Sequence, residues 1–151
     1  MIDGVTIKPL VIHSDDRGNF REILRSDESL LKNFGQASIT TTFPGVIKAF
    51  HWHARQDDLW YAVSGNIQAV LYDRRPDSPT FRETQVVYAG ETNSVLIVIP
   101  KGVAHGYRVL GQQPATLMYI TTEPYDAAKP DEQRIAYDDS KIGFDWTTRN
   151  R

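Results

Sequence analysis

Short, mostly apolar runs rich in valine, isoleucine, threonine and aromatic side chains recur along the chain between polar turns of glycine, proline, asparagine and aspartate. Such runs are typical of β-strands, and their frequent separation by turn residues indicates a sandwich or a barrel. We therefore predict an all-β fold. The predicted strands are Val5–Ile12, Asn19–Leu24, Ala37–Thr42, Val46–His53, Leu59–Val63, Asn66–Tyr72, Phe81–Tyr88, Ser94–Ile99, Gly106–Leu110 and Thr116–Thr122.

One segment has a helical pattern instead. Ser26–Asn33 begins with two residues that cap helices well, Ser26 and Asp27, so we predict a short helix there. After Thr122 the chain becomes polar and irregular, and we expect this tail to lie across the barrel instead of joining a sheet. No repeat, low-complexity stretch or linker interrupts the sequence, so residues 1–151 are predicted to form a single domain.

The composition excludes several classes of protein. At 151 residues, with 40% hydrophobic and 24% charged residues, the chain is long enough to bury one globular core. A formal net charge of -2 without a basic block argues against a nucleic-acid partner. The absence of cysteine excludes disulfides, thiolate metal sites and cysteine nucleophiles. Neither a signal-peptide pattern nor an apolar run of about 18 residues is present, so we expect a cytoplasmic protein with no membrane partner.

Three of the four histidines fall in two short motifs. His51 and His53 are two residues apart on one predicted strand and therefore project from the same face. Asp58 has the parity to join them from the next strand, and His105 follows a turn that would deliver it to the mouth of a barrel. Buried imidazoles need partners for both ring nitrogens, so this concentration predicts a shared pocket. His13 is expected to be a solvated surface group.

These two motifs match the pattern of the cupin superfamily. Five residues separate Gly45 from His51, and four separate His53 from Asp58; the second motif, Pro-x-Gly-x-x-His, ends at His105. The whole chain resembles the dTDP-4-dehydrorhamnose 3,5-epimerase family of cupins. The resemblance implies a cupin-type double-stranded β-helix, which is a jelly-roll barrel. The matching segments are Asp16–Glu22, Gly45–His51, Tyr72–Phe81, Ile99–Tyr107, Tyr119–Tyr125 and Asp138–Trp146.

The resemblance also implies an activity and roles for particular residues. It implies epimerisation at C3, and in some members also C5, of a nucleotide-linked 4-keto-6-deoxy sugar in polysaccharide biosynthesis, without a cofactor. His51 matches the base that removes the proton next to the keto carbon, and Tyr119 matches the acid on the opposite face. Residues that match nucleotide contacts reaching across a homodimer interface are Arg17, Phe20 and Glu22. Other substrate-binding candidates are Gln36, Lys48, His53, Asp58, His105 and Tyr125.

The reaction is chemically consistent with these residue types. Removing a proton next to a ketone needs a base whose pKa lies near neutral pH, and an unperturbed histidine titrates at about 6.5. The enolate oxygen needs a donor or a positive charge, which Lys48 or a neutral histidine would supply. An unperturbed tyrosine, with a pKa of about 10, holds its proton until the carbanion forms.

Two departures from the family pattern are visible. Full-length members continue past the segment that ends here at Trp146 and carry an aspartate that orients the base, whereas this chain ends at Arg151. A member of the family usually carries lysine where this chain has Asp58. Simple strand parity also places Lys48 on the face opposite His51, so a bulge is needed to bring both into one pocket. The candidate acids for the role of the missing aspartate are Asp57, Asp58, Asp138 and Asp139.

Other functions are compatible with the same residues. His51, His53, Asp58 and His105 fill the metal-ligand positions of the cupin motif, and three imidazoles with one carboxylate suit a divalent transition metal. A sugar 3,4-ketoisomerase would share the base and the enolate but return the proton elsewhere. A non-catalytic sugar-nucleotide binder would need neither a base nor an acid.

Overall fold

The computed structural model describes residues 1–148, so residues 149–151 of the predicted domain lie outside the described residues. The fold is all-β, as predicted, and its only helical element among these residues is a 3-10 turn at Ser26–Glu28. The strands are β1 (Thr6–Pro9), β2 (His13–Asp15), β3 (Gly18–Phe20), β4 (Gln36–Thr42), β5 (Ile47–His53), β6 (Asp58–Ser64), β7 (Asn66–Asp73), β8 (Thr84–Gly90), β9 (Val95–Ile99), β10 (Val103–Leu110), β11 (Ala115–Thr121) and β12 (Glu132–Arg134).

Two five-stranded antiparallel sheets form the sandwich. One has the strand order β1-β9-β6-β11-β4 and the other β12-β5-β10-β7-β8, while β2 and β3 form a separate hairpin. The alternating side chains of both sheets meet in one apolar core because successive residues of a strand point to opposite faces. Core residues from the two sheets include Trp60, Ile97 and Leu117 on one side and Ile67, Leu71 and Val103 on the other.

The predicted helix at Ser26–Asn33 is wrong in length and type. Only Ser26–Glu28 turns, and Ser29 ends it by adopting a left-handed conformation with φ of 56°. The cap also differs, since the backbone N–H of Arg25 donates to the Glu28 carboxylate at 3.1 Å. Leu30 and Leu31 pack instead against the outer face of the sheet that contains β6 and β9. No helix among residues 1–148 is long and apolar enough to cross a bilayer.

The tail after Thr122 does join a sheet, contrary to the prediction. Strand β12 pairs antiparallel with β5, placing Glu132 opposite His53 and Arg134 opposite His51. Beyond it the chain covers the outer face of the second sheet, where Trp146 packs against Phe50. A three-residue polar edge strand carries no hydrophobic alternation, so its sequence gives no strand signal.

Candidate active site

A cavity of about 440 Å³ is lined by strands of both sheets. Its walls come from β4, β5, β6, β10 and β11, and the segment before β12 completes the rim. A volume of this size suits a small-molecule ligand, since ligand pockets span roughly 300–1,000 Å³. The residues that line it include Lys48, His51, His53, Asp58, Trp60 and Tyr119.

Antiparallel pairing brings the three motif histidines together. His51 and His53 share a face of β5, and β10 places His105 directly opposite His51. The ring centroids of His51 and His105 lie 4.3 Å apart, and that of His53 lies 5.7 Å from His51 and 5.6 Å from His105. His105 is only 2% exposed and packs behind the two rings that line the cavity. His13 is exposed on the β2–β3 hairpin.

Asp58 lies against this histidine cluster. Its Oδ2 atom is 3.5 Å from His105 Nε2 and 3.8 Å from His53 Nε2. Gln56 donates to Oδ1 at 2.8 Å, and the indole N–H of Trp60 makes a longer contact of 3.4 Å to Oδ2. The carboxylate is therefore buried and oriented. Within residues 1–148 its ion-pair partners are the two histidines alone, with no lysine or arginine.

Burial sets the protonation of the cluster. The pKa of His51 is lowered to about 2, first because the ring is buried and then because His105 lies beside it, although the charge of Asp58 opposes the shift. Burial also lowers the pKa of His53. Burial by itself raises the pKa of Asp58, but its contacts with His105 and His53 outweigh this and bring the value to about 2. We expected a base with a pKa near neutral pH. In the free pocket His51 is instead neutral and only weakly basic.

A register shift places Lys48 on the same wall as His51. Opposite β10, His51 pairs with His105 and Lys48 pairs with Tyr107, so β5 has one more residue than β10 across this interval. The bulge that strand parity required is therefore present. Gly106 allows it, because a Cβ atom there would lie 2.3 Å from the Cβ of Ala49. The Lys48 ammonium donates to the Thr40 hydroxyl at 2.8 Å.

Tyr119 faces the cavity from the other sheet. It lies on β11, opposite Trp60 of β6, and lines the cavity together with His51. A second tyrosine, Tyr107, also lines the cavity and shares a 2.8 Å hydrogen bond with the Thr42 hydroxyl. Burial raises the pKa of Tyr107. Tyr107 was not among the residues predicted from the sequence, although its spacing of two from His105 indicated the same face of the strand.

The rim of the cavity is held by side chain to backbone hydrogen bonds. Gln36 accepts from the backbone N–H of Tyr125 at 2.9 Å, and the Tyr125 side chain is 66% exposed beside the opening. Asp131 accepts from the N–H groups of Ala54, Arg55 and Gln56 at 3.3, 2.9 and 3.2 Å. Tyr125 was a candidate from the sequence, but other tail residues that line the rim, such as Asp131, were not identified because their position depends on the pairing of β12.

Three predicted nucleotide contacts lie away from the cavity of their own chain. Arg17 and Phe20 belong to the β2–β3 hairpin, where the Arg17 side chain pairs with Asp15 at 2.6 Å and Phe20 is 63% exposed. Glu22 follows the hairpin and pairs with Arg25 at 3.2 Å. The structure does not bring these three residues together with His51.

Of the four acids considered as partners for the base, Asp58 alone joins the histidine cluster. Asp57 accepts from the backbone N–H of Lys101 at 2.9 Å and belongs to the surface outside the cavity. Asp139 accepts from the N–H of Lys141 at 2.9 Å, and Asp138 is exposed in the tail.

Known proteins similar to this chain point to one family. The family model for dTDP-4-dehydrorhamnose 3,5-epimerase matches residues 1–151. The spore coat polysaccharide biosynthesis protein SpsL of Bacillus subtilis is 59% identical over 151 residues, which are 100% of both chains. A dTDP sugar isomerase from Desulfovibrio desulfuricans superposes with a TM-score of 0.90 at 27% identity, covering 99% of this chain and 94% of the other. The Legionella pneumophila dTDP-6-deoxy-D-glucose-3,5-epimerase, solved with dTDP-4-keto-L-rhamnose, superposes with a TM-score of 0.85 at 30% identity, covering 96% and 79%.

Proposed function

The chain belongs to the dTDP-4-dehydrorhamnose 3,5-epimerase family, an isomerase family, and we propose that it epimerises a dTDP-linked 4-keto-6-deoxy sugar for polysaccharide biosynthesis. Inversion takes place at C3, with or without C5. The substrate class rests on the Legionella relative, whose bound ligand is a dTDP-linked keto sugar, and the biosynthetic setting rests on the Bacillus relative.

The observation that carries this proposal is that His51 and Tyr119 face one cavity from different sheets. A sugar ring between them has a proton acceptor on one face and a proton donor on the other. His51 removes the proton next to the keto carbon, and Tyr119 returns a proton from the opposite side, which inverts the centre. Lys48, on the His51 wall, is the donor for the enolate oxygen.

The low pKa of His51 in the free pocket fits this proposal. Proton transfer creates an imidazolium beside a newly formed enolate anion, so the buried positive charge gains a partner as it appears. The negative charge of Asp58 partly offsets the lowering of the His51 pKa, and it also stabilises the imidazolium. The closest imidazole contacts of this carboxylate are with His105 and His53 instead of His51, so it acts on the base through its charge. Only protons move in the proposed steps, so they use no cofactor.

Arg17, Phe20 and Glu22 are proposed to contact the nucleotide of a neighbouring subunit in a homodimer. Their exposure on and after the β2–β3 hairpin, away from the cavity of their own chain, supports an intersubunit role. Gln36 and Tyr125, which lie at the rim of the cavity, are proposed to contact the substrate within one chain.

Solvent deuterium exchange tests the proposed function. Chelator-treated protein is incubated with dTDP-4-keto-6-deoxyglucose in deuterated water, and the sugar is followed by proton NMR. We expect deuterium at C3, with or without C5, and inversion at each labelled centre. With Tyr119→Phe we expect exchange without inversion, because His51 still removes the proton and returns deuterium to the same face.

Other results would replace the proposal. A 3-keto sugar product would identify a ketoisomerase. A substrate that binds but neither exchanges nor isomerises would identify a non-catalytic binder.

A further inference from the structure

We infer that His51, His53, Asp58 and His105 also form a binding site for one divalent first-row transition-metal ion, and that this ion competes with proton removal by His51. The binding site goes beyond the proposed function. The competition rests on that function, because it requires His51 to be the base.

The ligand atoms of the four side chains are already close together. One nitrogen or oxygen atom from each lies within 4.8 Å of all the others. Ligands of a tetrahedral zinc-like ion, bound at about 2.0–2.2 Å, are separated by roughly 3.3–3.6 Å. Asp58 Oδ2 lies 3.5 Å from His105 Nε2 and 3.8 Å from His53 Nε2, so two of these separations are nearly met without an ion. A small inward movement of side chains closes the set.

The hydrogen bond of His105 aims a lone pair at the carboxylate. Its Nδ1 atom is 3.0 Å from the carbonyl oxygen of Val103, so Nδ1 carries the hydrogen and donates it. In the neutral ring Nε2 is then an acceptor that faces Asp58 Oδ2, which is also an acceptor. A proton or a metal cation between the two atoms satisfies both, so a metal ion can take the place of a shared proton. A histidine ligand commonly donates its other ring nitrogen to a backbone carbonyl in metal sites, which is the arrangement seen here.

Two buried ring nitrogens are left without a hydrogen-bond partner. Across residues 1–148, the buried side-chain polar atoms that lack one are His53 Nδ1 and His105 Nε2, and both belong to this cluster. Leaving a buried polar atom unpaired costs about 1–3 kcal/mol, so such atoms in a folded protein call for a ligand. His105 is 2% exposed and lies behind the rings that line the cavity, which limits water as an alternative partner for its Nε2 atom.

Asp58 is held in the orientation of a ligand. The Gln56 amide donates to Oδ1 at 2.8 Å, which leaves Oδ2 directed at the histidines. The carboxylate is 3% exposed and lacks a lysine or arginine partner in the described chain, so a buried negative charge is available to a divalent ion. Three imidazoles and one carboxylate favour zinc, cobalt or nickel over magnesium or calcium, which prefer oxygen ligands.

Occupation of the site would block the base. A neutral imidazole has one free lone pair, and His51 cannot use it to bind an ion and to accept a proton at the same time. We therefore expect reversible inhibition of epimerisation by the ion.

Cobalt titration tests binding without substrate. Untagged, chelator-treated protein is titrated with Co²⁺, and its visible absorption is followed together with NMR of ¹⁵N-labelled histidine side chains. We expect one equivalent to bind, with paramagnetic broadening of the resonances of His51, His53 and His105 but not of the exposed His13. Asp58→Asn and His53→Gln are expected to weaken Co²⁺ binding at least tenfold, and the matched control His13→Gln to leave it unchanged.

The competition is tested by adding one equivalent of Zn²⁺ to the deuterium-exchange assay, which should suppress exchange until chelator restores it. Failure of Co²⁺ to bind, or broadening of His13 alone, would overturn the site even if both variants fail to fold. Bound metal that leaves exchange unchanged would overturn the competition. Cobalt binding by a protein that never turns over substrate would leave the metal site standing while the proposed function fails.

Discussion

Asp58 and Asp73 are both buried carboxylates, and their surroundings are opposite. Asp73, at the end of β7, is fully buried and accepts from Arg75 at both oxygens, at 2.8 Å each, as well as from the hydroxyls of Ser78 and Thr80 at 2.5 and 2.7 Å. Asp58 has one good donor, Gln56, and otherwise faces histidines at 3.5 Å or more.

The difference separates a structural site from a reactive one. Asp73 is paired with a permanent cation and two hydroxyls, so it holds the turn after β7 and has no capacity left for a ligand. Asp58 lies against imidazoles, and burial lowers the pKa of two of them, His51 and His53, so its charge remains available to a proton, an imidazolium or a metal ion. Stability and reactivity thus reside in different carboxylates of the same sandwich.

The largest expected effect is on activity, in the region of Asp58. His51→Gln should lower the rate of epimerisation by roughly 10²–10⁴-fold, which is the usual contribution of a positioned general base. Its melting temperature should stay close to that of the wild type, because the ring lines the cavity instead of filling the core. Deuterium exchange measures the loss of activity, and thermal unfolding measures the melting temperature. Unchanged turnover, or a collapsed fold, would remove His51 from its assigned role.

The second prediction compares the stability contributions of the two carboxylates by making the same substitution at each. Asp73→Asn should lower the free energy of unfolding by about 3 kcal/mol, because it leaves the Arg75 guanidinium without its charged partner. Asp58→Asn should lower it by less, because the Asp58 carboxylate has one close side-chain donor, Gln56, whereas Asp73 has three, one of them a guanidinium. Urea denaturation at neutral pH in the presence of chelator measures both. Equal losses in the two variants would show that Asp58 is as well paired as Asp73.

The smallest effect is a pH dependence of stability. His51 has a pKa of about 2 in the folded protein and an ordinary value of 6.5 in the unfolded chain, so below pH 6.5 only the unfolded state takes up the proton. Stability is therefore present above pH 6.5 and is lost as the pH falls towards 2. Between pH 7 and pH 5.5 the loss from His51 is about 1 kcal/mol, and His51→Gln should remove that part.

Asp73→Asn serves as the control for this measurement. Burial opposes the shift, but hydrogen bonds from Arg75, Ser78 and Thr80 lower the pKa of the Asp73 carboxyl from its ordinary value of 3.8, so this group affects stability only below pH 3.8. Between pH 7 and pH 5.5 the urea midpoint should therefore fall less in His51→Gln than in the wild type, whereas Asp73→Asn should retain the wild-type pH dependence. An equal fall of the urea midpoint in the wild type and in His51→Gln would mean that the pKa of His51 is not lowered in the folded protein.

Much of the fold was predictable because its signals are local. Alternation of side chains in β4 and short apolar runs bounded by turn residues in β7 and β9 identify these strands. The period of two in a strand also brings His51 and His53 to one face whatever the rest of the chain does. The helix prediction failed because the left-handed Ser29 ends the turn and apolar residues after it pack on the sheet. Strand β12 was missed because its pairing with β5, not its own side chains, makes it a strand.

By itself the sequence determined an all-β chain, the two histidine motifs and the family to which they belong. The tertiary structure decided which residues share the cavity. It placed Lys48 beside His51 through a bulge, set Tyr119 on the facing sheet, and left Asp58 among histidines without a lysine or arginine partner in residues 1–148. These features depend on pairing and burial between segments distant in the chain, and periodicity along one strand carries no information about its neighbours.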